Sequence, residues 1–72
     1  MSNNDNLVPG FNEEKDESLK INLERITDIS EGLVLYLNGY IDTYNSSFFQ
    51  KKVSKVVEAG YTKLIFNCSA LN

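Results

Sequence analysis

The chain has 72 residues, and its seven lysine and arginine residues against ten acidic residues give a formal net charge of −3. This length suffices for one small domain. The sequence contains no histidine and a single cysteine, which excludes an internal disulfide, a Cys/His zinc site and Ser-His or Cys-His catalysis within these residues. We therefore expect no cofactor and no enzymatic activity.

The negative charge is concentrated at the amino end. Residues 1–18 carry five acids and one base, a net charge of −4, whereas residues 19–72 carry five acids and six bases. Residues 1–18 also contain a Pro-Gly pair and show no hydrophobic period, which predicts an acidic mobile tail. The remaining residues have no basic stripe that could neutralise phosphates, so nucleic acid is not expected as a partner.

Nothing in the hydropathy indicates a membrane partner. The longest apolar run extends from Leu33 to Leu37, far short of the roughly 20 residues that span a bilayer. Residues 1–18 lack the basic region and the apolar region of a signal peptide. The sequence therefore predicts a cytoplasmic protein.

Two strands are predicted at the start of the ordered part. Apolar and polar residues alternate from Leu19 to Glu24, which is the period of a half-buried strand. From Leu33 to Ile41, a strand of the same period would place every second residue, beginning with Leu33, on one face. The link between them is short and polar and ends at Gly32. Such a link joins neighbouring antiparallel strands, so a β-hairpin is expected.

A helix is predicted over residues 45–59. Ser47 and Gln50 fit a capping box at its start, and Gly60 suits the position after its last turn. Apolar residues at helical spacing form the stripe expected to face the core: Phe49, Val53, Val56, Val57 and Gly60. The lysines of the helix are interpreted as a solvent-exposed basic patch: Lys51, Lys52 and Lys55.

A third strand is predicted over Thr62–Cys68, in which Cys68 is expected to be buried as a small apolar residue. Strand, helix and strand in this order form a right-handed βαβ unit with parallel strands. Because parallel strands end at the same edge of a sheet, residues 39–44 and 67–72 should meet at one rim beside the helix N-terminus. Such rims are where open α/β sheets usually bind ligands and partners.

Two polar residues at this rim are candidates for function. Asp42 lies just before the helix, where a carboxylate either stabilises the helix N-terminus or faces a partner. Asn67 ends the apolar part of the third strand, where its amide either bonds to the neighbouring loop or faces a partner.

The stretch from Leu33 to Asn72 resembles the first half of a STAS domain, the fold of the anti-sigma factor antagonists. Gly39-Tyr40-Ile41-Asp42-Thr43 is similar to the family segment in which glycine and an apolar residue precede Asp-Thr. An amphipathic helix follows at once. The strand Leu64-Ile65-Phe66-Asn67, followed by Ser69 and Leu71, is similar to the next family strand and the residues after it.

The resemblance covers residues 19–72 and implies an α/β fold: a β-hairpin and a right-handed βαβ unit that form a truncated mixed sheet with one main amphipathic helix. It implies an interaction module that binds an anti-sigma factor, which is also a serine kinase, in a phosphorylation-controlled partner switch that regulates transcription. Its partner-facing residues would be Asp42, Thr43, Tyr44 and Asn67. The family's phosphoacceptor serine or threonine would lie after Asn72, so no acceptor is expected within these residues.

The alternative is a truncated or degenerate STAS-like assembly module that completes its sheet with another chain. Leu64, Ile65 and Phe66 are more apolar than the residues of protected edge strands, which carry charges, proline or a bulge. We therefore expect self-association through the Thr62–Cys68 edge.

Overall fold

The computed structural model of the protein describes residues 3–72. In chain order it comprises helix α1 (Asn3–Leu7), a 3-10 turn (Phe11–Glu13), strand β1 (Leu19–Arg25), strand β2 (Gly32–Gly39), helix α2 (Ser46–Glu58) and strand β3 (Lys63–Leu71). Among these residues, neither helix is long and apolar enough to cross a lipid bilayer.

The three strands form one mixed sheet in the order β1-β2-β3. β1 and β2 are antiparallel, with Ile21 opposite Leu37, and β2 and β3 are parallel, with Leu33 opposite Leu64. The predicted fold class, a hairpin followed by a βαβ unit, is confirmed. β3 extends to Leu71, three residues beyond the predicted end, because a register shift between Tyr36 and Asn38 lets its last residues continue along β2.

The core lies between α2 and the face of the sheet that carries the alternating leucine and isoleucine side chains of β1 and β2. Its buried apolar residues are Val8, Phe11, Leu19, Ile21, Leu23, Leu33, Leu35, Leu37 and Val56. Val57 was expected in the same stripe but is 48% exposed. A rotation of 100° per residue carries it past the contact between α2 and the sheet, so the buried stripe is narrower than predicted.

The amino-terminal segment differs from the predicted mobile tail. Residues 3–13 contain helical turns, and the side chains of Val8 and Phe11 are buried in the core. Together with Leu7, which packs against the core while partly exposed, these side chains are too few to produce a hydrophobic period, so the pattern did not reveal that the segment packs. Met1 and Ser2, the start of the predicted tail, lie outside the described residues.

Contact with this segment also corrects the interpretation of the helix lysines. Lys52 is 2% exposed, and its ammonium group lies 4.6 Å from the ring centre of Phe11 and 5.2 Å from that of Phe48. Burial lowers the pKa of Lys52, and the nearby charge of Lys55 adds to this effect. The predicted basic patch is therefore partly an internal contact surface.

Candidate functional site

The carboxyl ends of β2 and β3 lie side by side, as predicted. Gly39 is paired with Leu71, and the backbone N–H of Asn72 donates to the carbonyl of Gly39 at 2.7 Å. Residues 40–45 leave this edge of the sheet and lead directly into α2. This loop carries three of the four predicted site residues, Asp42, Thr43 and Tyr44.

The Asp42 side chain fixes the conformation of this loop. Its Oδ1 accepts hydrogen bonds from the backbone N–H groups of Tyr44, at 2.9 Å, and Asn45, at 3.1 Å. In return, Oδ1 of Asn45 accepts the backbone N–H of Asp42 at 2.8 Å. Asp42 thus holds the turn before α2, which agrees with a structural role for this carboxylate and leaves its role toward a partner as a prediction.

Asn45 connects the loop to the rest of the molecule. Its side chain is 1% exposed, and Nδ2 donates to Oγ of Ser18 and to the carbonyl of Tyr40, each at 2.8 Å. Asn45 is the residue immediately before α2, yet its side chain makes no capping hydrogen bond to the helix. The predicted capping box is also wrong in register, because α2 begins at Ser46 and places Ser47 inside the first turn.

The loop presents a mainly aromatic and apolar surface, which we call the rim patch: Tyr40, Ile41, Thr43 and Tyr44. The side chain of Tyr44 is 94% exposed, although its backbone is held by Asp42. Tyr40 and Ile41 are also exposed. Large apolar side chains on a fixed backbone lose little further conformational entropy on binding. The geometry of the rim patch therefore suits protein recognition.

Asn67, the fourth predicted site residue, does not lie at this rim. It is paired with Tyr36 in the middle of β3, four residues before the strand ends, or roughly 13 Å along the strand. Its Oδ1 accepts hydrogen bonds from the backbone N–H and the hydroxyl of Ser69, at 3.0 and 2.7 Å. The expected bond to the neighbouring loop is therefore replaced by a local one, because β3 extends to Leu71.

Cys68 was expected to be buried beside Leu64 and Phe66, and this is wrong. Its side chain is exposed, and the sulfur lies 4.0 Å from the carbonyl oxygen of Phe66. Cys68 falls where the pairing of β2 and β3 shifts register, so the simple alternation used to assign its face does not hold there.

The described elements can be compared with known families. The model of the STAS domain family matches residues 20–72, which include nearly all of β1 and the whole of β2, α2 and β3 but exclude the amino-terminal segment. No curated protein and no solved structure matches the chain. Because the family model covers well over half of the sequence, the chain belongs to the STAS domain family.

Proposed function

We propose that this chain is a protein-interaction module of the anti-sigma factor antagonist type, acting in the cytoplasm without enzymatic activity. Its partner would be an anti-sigma factor that is also a serine kinase, and phosphorylation would control the exchange of partners that regulates transcription. Membership of the STAS family and the Gly39–Thr43 segment support this proposal.

One observation carries the proposal: a tyrosine that is almost fully exposed stands on a backbone that is hydrogen-bonded in place. Tyr44 contributes little to the core, whereas Asp42 and Asn45 hold the turn that presents it. Tyrosine is enriched among the residues that dominate binding energy at protein interfaces. A side chain so placed is better explained by recognition than by folding.

The first experiment measures binding of the Tyr44→Ala variant to the cognate anti-sigma factor by isothermal titration calorimetry. We expect the affinity to fall at least about tenfold, because an aromatic anchor is removed from the interface. The melting temperature should stay unchanged, since the side chain is exposed. Tyr36→Ala, which removes an exposed tyrosine outside the rim patch, is the matched control and should bind like the wild type. Equal affinity of wild type and Tyr44→Ala would contradict the proposal.

A pair of substitutions separates the two roles of Asp42. Asp42→Asn keeps an oxygen that can accept from Tyr44 and Asn45 but removes the charge, whereas Asp42→Ala removes both. If the partner reads the carboxylate, both variants lose affinity to a similar degree. If the carboxylate serves only to shape the rim patch, Asp42→Ala alone loses affinity. Wild-type binding by both variants would argue against any involvement of this loop.

A second candidate function is an assembly module that completes its sheet with another chain. The observation that favours it is the state of β3, which is the outer strand of the sheet formed by residues 3–72. Ile65 and Phe66 on this strand are 54% and 42% exposed. Apolar side chains on an unpaired edge favour the addition of a further strand.

A further inference from the structure

The segment of residues 3–13, which we call the arm, contacts the free edge of β1 through Asn4. The Asn4 side chain is buried: Nδ2 donates to the carbonyl of Ile21 at 2.8 Å, and Oδ1 accepts the backbone N–H of Leu23 at 2.9 Å. One amide side chain therefore supplies the donor and the acceptor that a residue of a neighbouring strand would supply. The side chain thus imitates, at one position, the main-chain bonds that an added strand would make to this edge.

The other side of the arm is held through its backbone carbonyls. Lys55 donates to the carbonyl of Gly10 at 3.0 Å, the hydroxyl of Tyr61 donates to that of Leu7 at 3.1 Å, and the ammonium group of Lys52 donates to that of Phe11. These three donors lie on α2 or just after it, and their acceptors are main-chain groups at or after the end of α1. A carbonyl acceptor is available from almost any side-chain sequence, so these bonds recognise the backbone path of the arm and not its side chains.

Two buried apolar side chains determine which residues the arm must carry at these positions. Val8 and Phe11 are 2% and 1% exposed and follow Asn4 by four and seven residues. An open pocket of about 610 Å³ adjoins the arm, and its lining includes Phe11, Ile21 and Lys52. The arm itself lies in a depression formed by β1, α2 and Tyr61. We call it the arm groove.

We propose that the arm groove is a peptide-binding site that the chain's own arm occupies and that a partner protein can occupy in its place. The partner segment would be a short acidic peptide with a side-chain amide, an aliphatic residue four positions later and an aromatic residue seven positions later. Its acidic character follows from the arm and the residue after it, where the charges of Glu14, Asp5 and Glu13 lie close enough to Lys52 to favour its charged form. The arm groove lies along β1 and is separate from the rim patch.

The probe for this proposal is a fluorescent peptide of residues 3–13, titrated into the full chain and followed by anisotropy. In the wild type the attached arm competes with the peptide for the arm groove. The apparent dissociation constant of the peptide is therefore the intrinsic constant divided by the fraction of chains whose arm is detached, and that fraction is small. Asn4→Ala in the full chain removes the two bonds to β1 and should tighten peptide binding at least about tenfold. Asn6→Ala, a substitution at an exposed position of the same helix, is the matched control and should bind like the wild type.

A second variant keeps every contact residue of the arm. A flexible Gly-Ser insertion of about 20 residues after Lys15 lowers the effective concentration of the attached arm and should also tighten peptide binding. A peptide carrying both Asn4→Ala and Phe11→Ala should fail to bind either opened chain. Circular dichroism and thermal melting establish that the opened chains are folded.

Three results would overturn the proposal. The first is a folded insertion variant that shows no saturable binding of the wild-type peptide. The second is equal binding of the doubly substituted peptide, which would mean that Asn4 and Phe11 do not confer selectivity. The third is a stable dimer of the insertion variant that binds no peptide, which would assign the arm groove to the arm of a second copy.

Discussion

Val56 and Val57 are neighbours in sequence with opposite surroundings, and they offer a direct test of the helix orientation. Val56 is fully buried, whereas Val57 is half exposed. We expect Val56→Ala to lower the free energy of unfolding by about 2 kcal/mol through lost burial and a residual cavity. Val57→Ala should change it by less than about 0.5 kcal/mol. Both substitutions replace valine by alanine in α2 and so gain the same helix propensity. The difference between the two variants in urea denaturation therefore measures the contribution of packing. Equal losses of unfolding free energy would mean that the buried face is misassigned.

Because the ammonium group of Lys52 is buried, the free energy of unfolding should depend on pH in the alkaline range. Burial lowers its pKa in the folded chain below the ordinary value of 10.5. Between the lowered and the ordinary pKa, the unfolded chain binds more protons than the folded chain, so the free energy of unfolding rises with pH. This contribution should be absent in Lys52→Met, while tyrosine titration remains in both proteins. Urea denaturation from neutral pH to about pH 10 measures the difference; parallel profiles of the two proteins would contradict it.

For single residues, the sequence predicted the local role of a side chain better than it predicted the distant residues that the side chain contacts. The position of Asp42 between an apolar strand and a helix predicted a carboxylate that stabilises the start of the helix, and the structure shows a closely related role in the preceding turn. The role of Asn45 depends on Ser18, which lies 27 residues away, and no local pattern encodes such a pair. Lys52 was assigned to solvent because its burial depends on the arm, which the pattern did not place.

Gly39 and Gly60 both adopt positive φ, of 118° and 103°, yet their surroundings differ. A Cβ at Gly39 would overlap the backbone carbonyl oxygen of Ser18, whereas none of the described atoms lies within 4 Å of one at Gly60. We therefore expect Gly60→Ala to cost about 1 to 2 kcal/mol through backbone strain alone. Gly39→Ala should cost at least about 3 kcal/mol, because strain is joined by overlap with an atom that cannot rotate away.

Chemical denaturation of the two alanine variants checks this prediction. The difference between them measures the close contact between the end of β2 and the residue before β1, since the φ strain is similar in both. Equal losses would mean that Ser18 moves aside freely. The bond from Tyr40 N–H to the same carbonyl makes such a movement costly.

The elements of residues 19–72 could be predicted because each follows one clear period. The change from a period of two to a period near 3.6 and back located both hairpin strands, the helix and the start of the third strand. The end of β3 was missed because Ser69 and Ala70 interrupt the apolar pattern, while backbone pairing with β2 continues through them. The arm was missed because two anchors and a side-chain amide form no repeating pattern.

At the scale of the whole sheet, β3 is an outer strand among residues 3–72, which predicts self-association. We expect sedimentation velocity to show a reversible monomer–dimer equilibrium of the wild type, in which the dimer fraction rises with concentration. Ile65→Lys should shift it to the monomer, because a charge on an edge strand opposes pairing with another strand. Val57→Lys is the control: it places the same charge at a similarly exposed position on α2 and should leave association unchanged. A wild type that stays monomeric at all concentrations would contradict the prediction.

The Asn4 contact with β1 determines what form such an association can take. A filament that grows by strand pairing needs two different free edges on each molecule, so that the β3 of one joins the β1 of the next. Asn4 already occupies the backbone groups of Ile21 and Leu23 on that second edge. Identical molecules can then pair only β3 with β3, related by a two-fold axis. Once such a pair has formed, neither molecule has a further free edge to which a third could add. One side-chain amide thus converts an open-ended polymerisation into a closed, isologous pair.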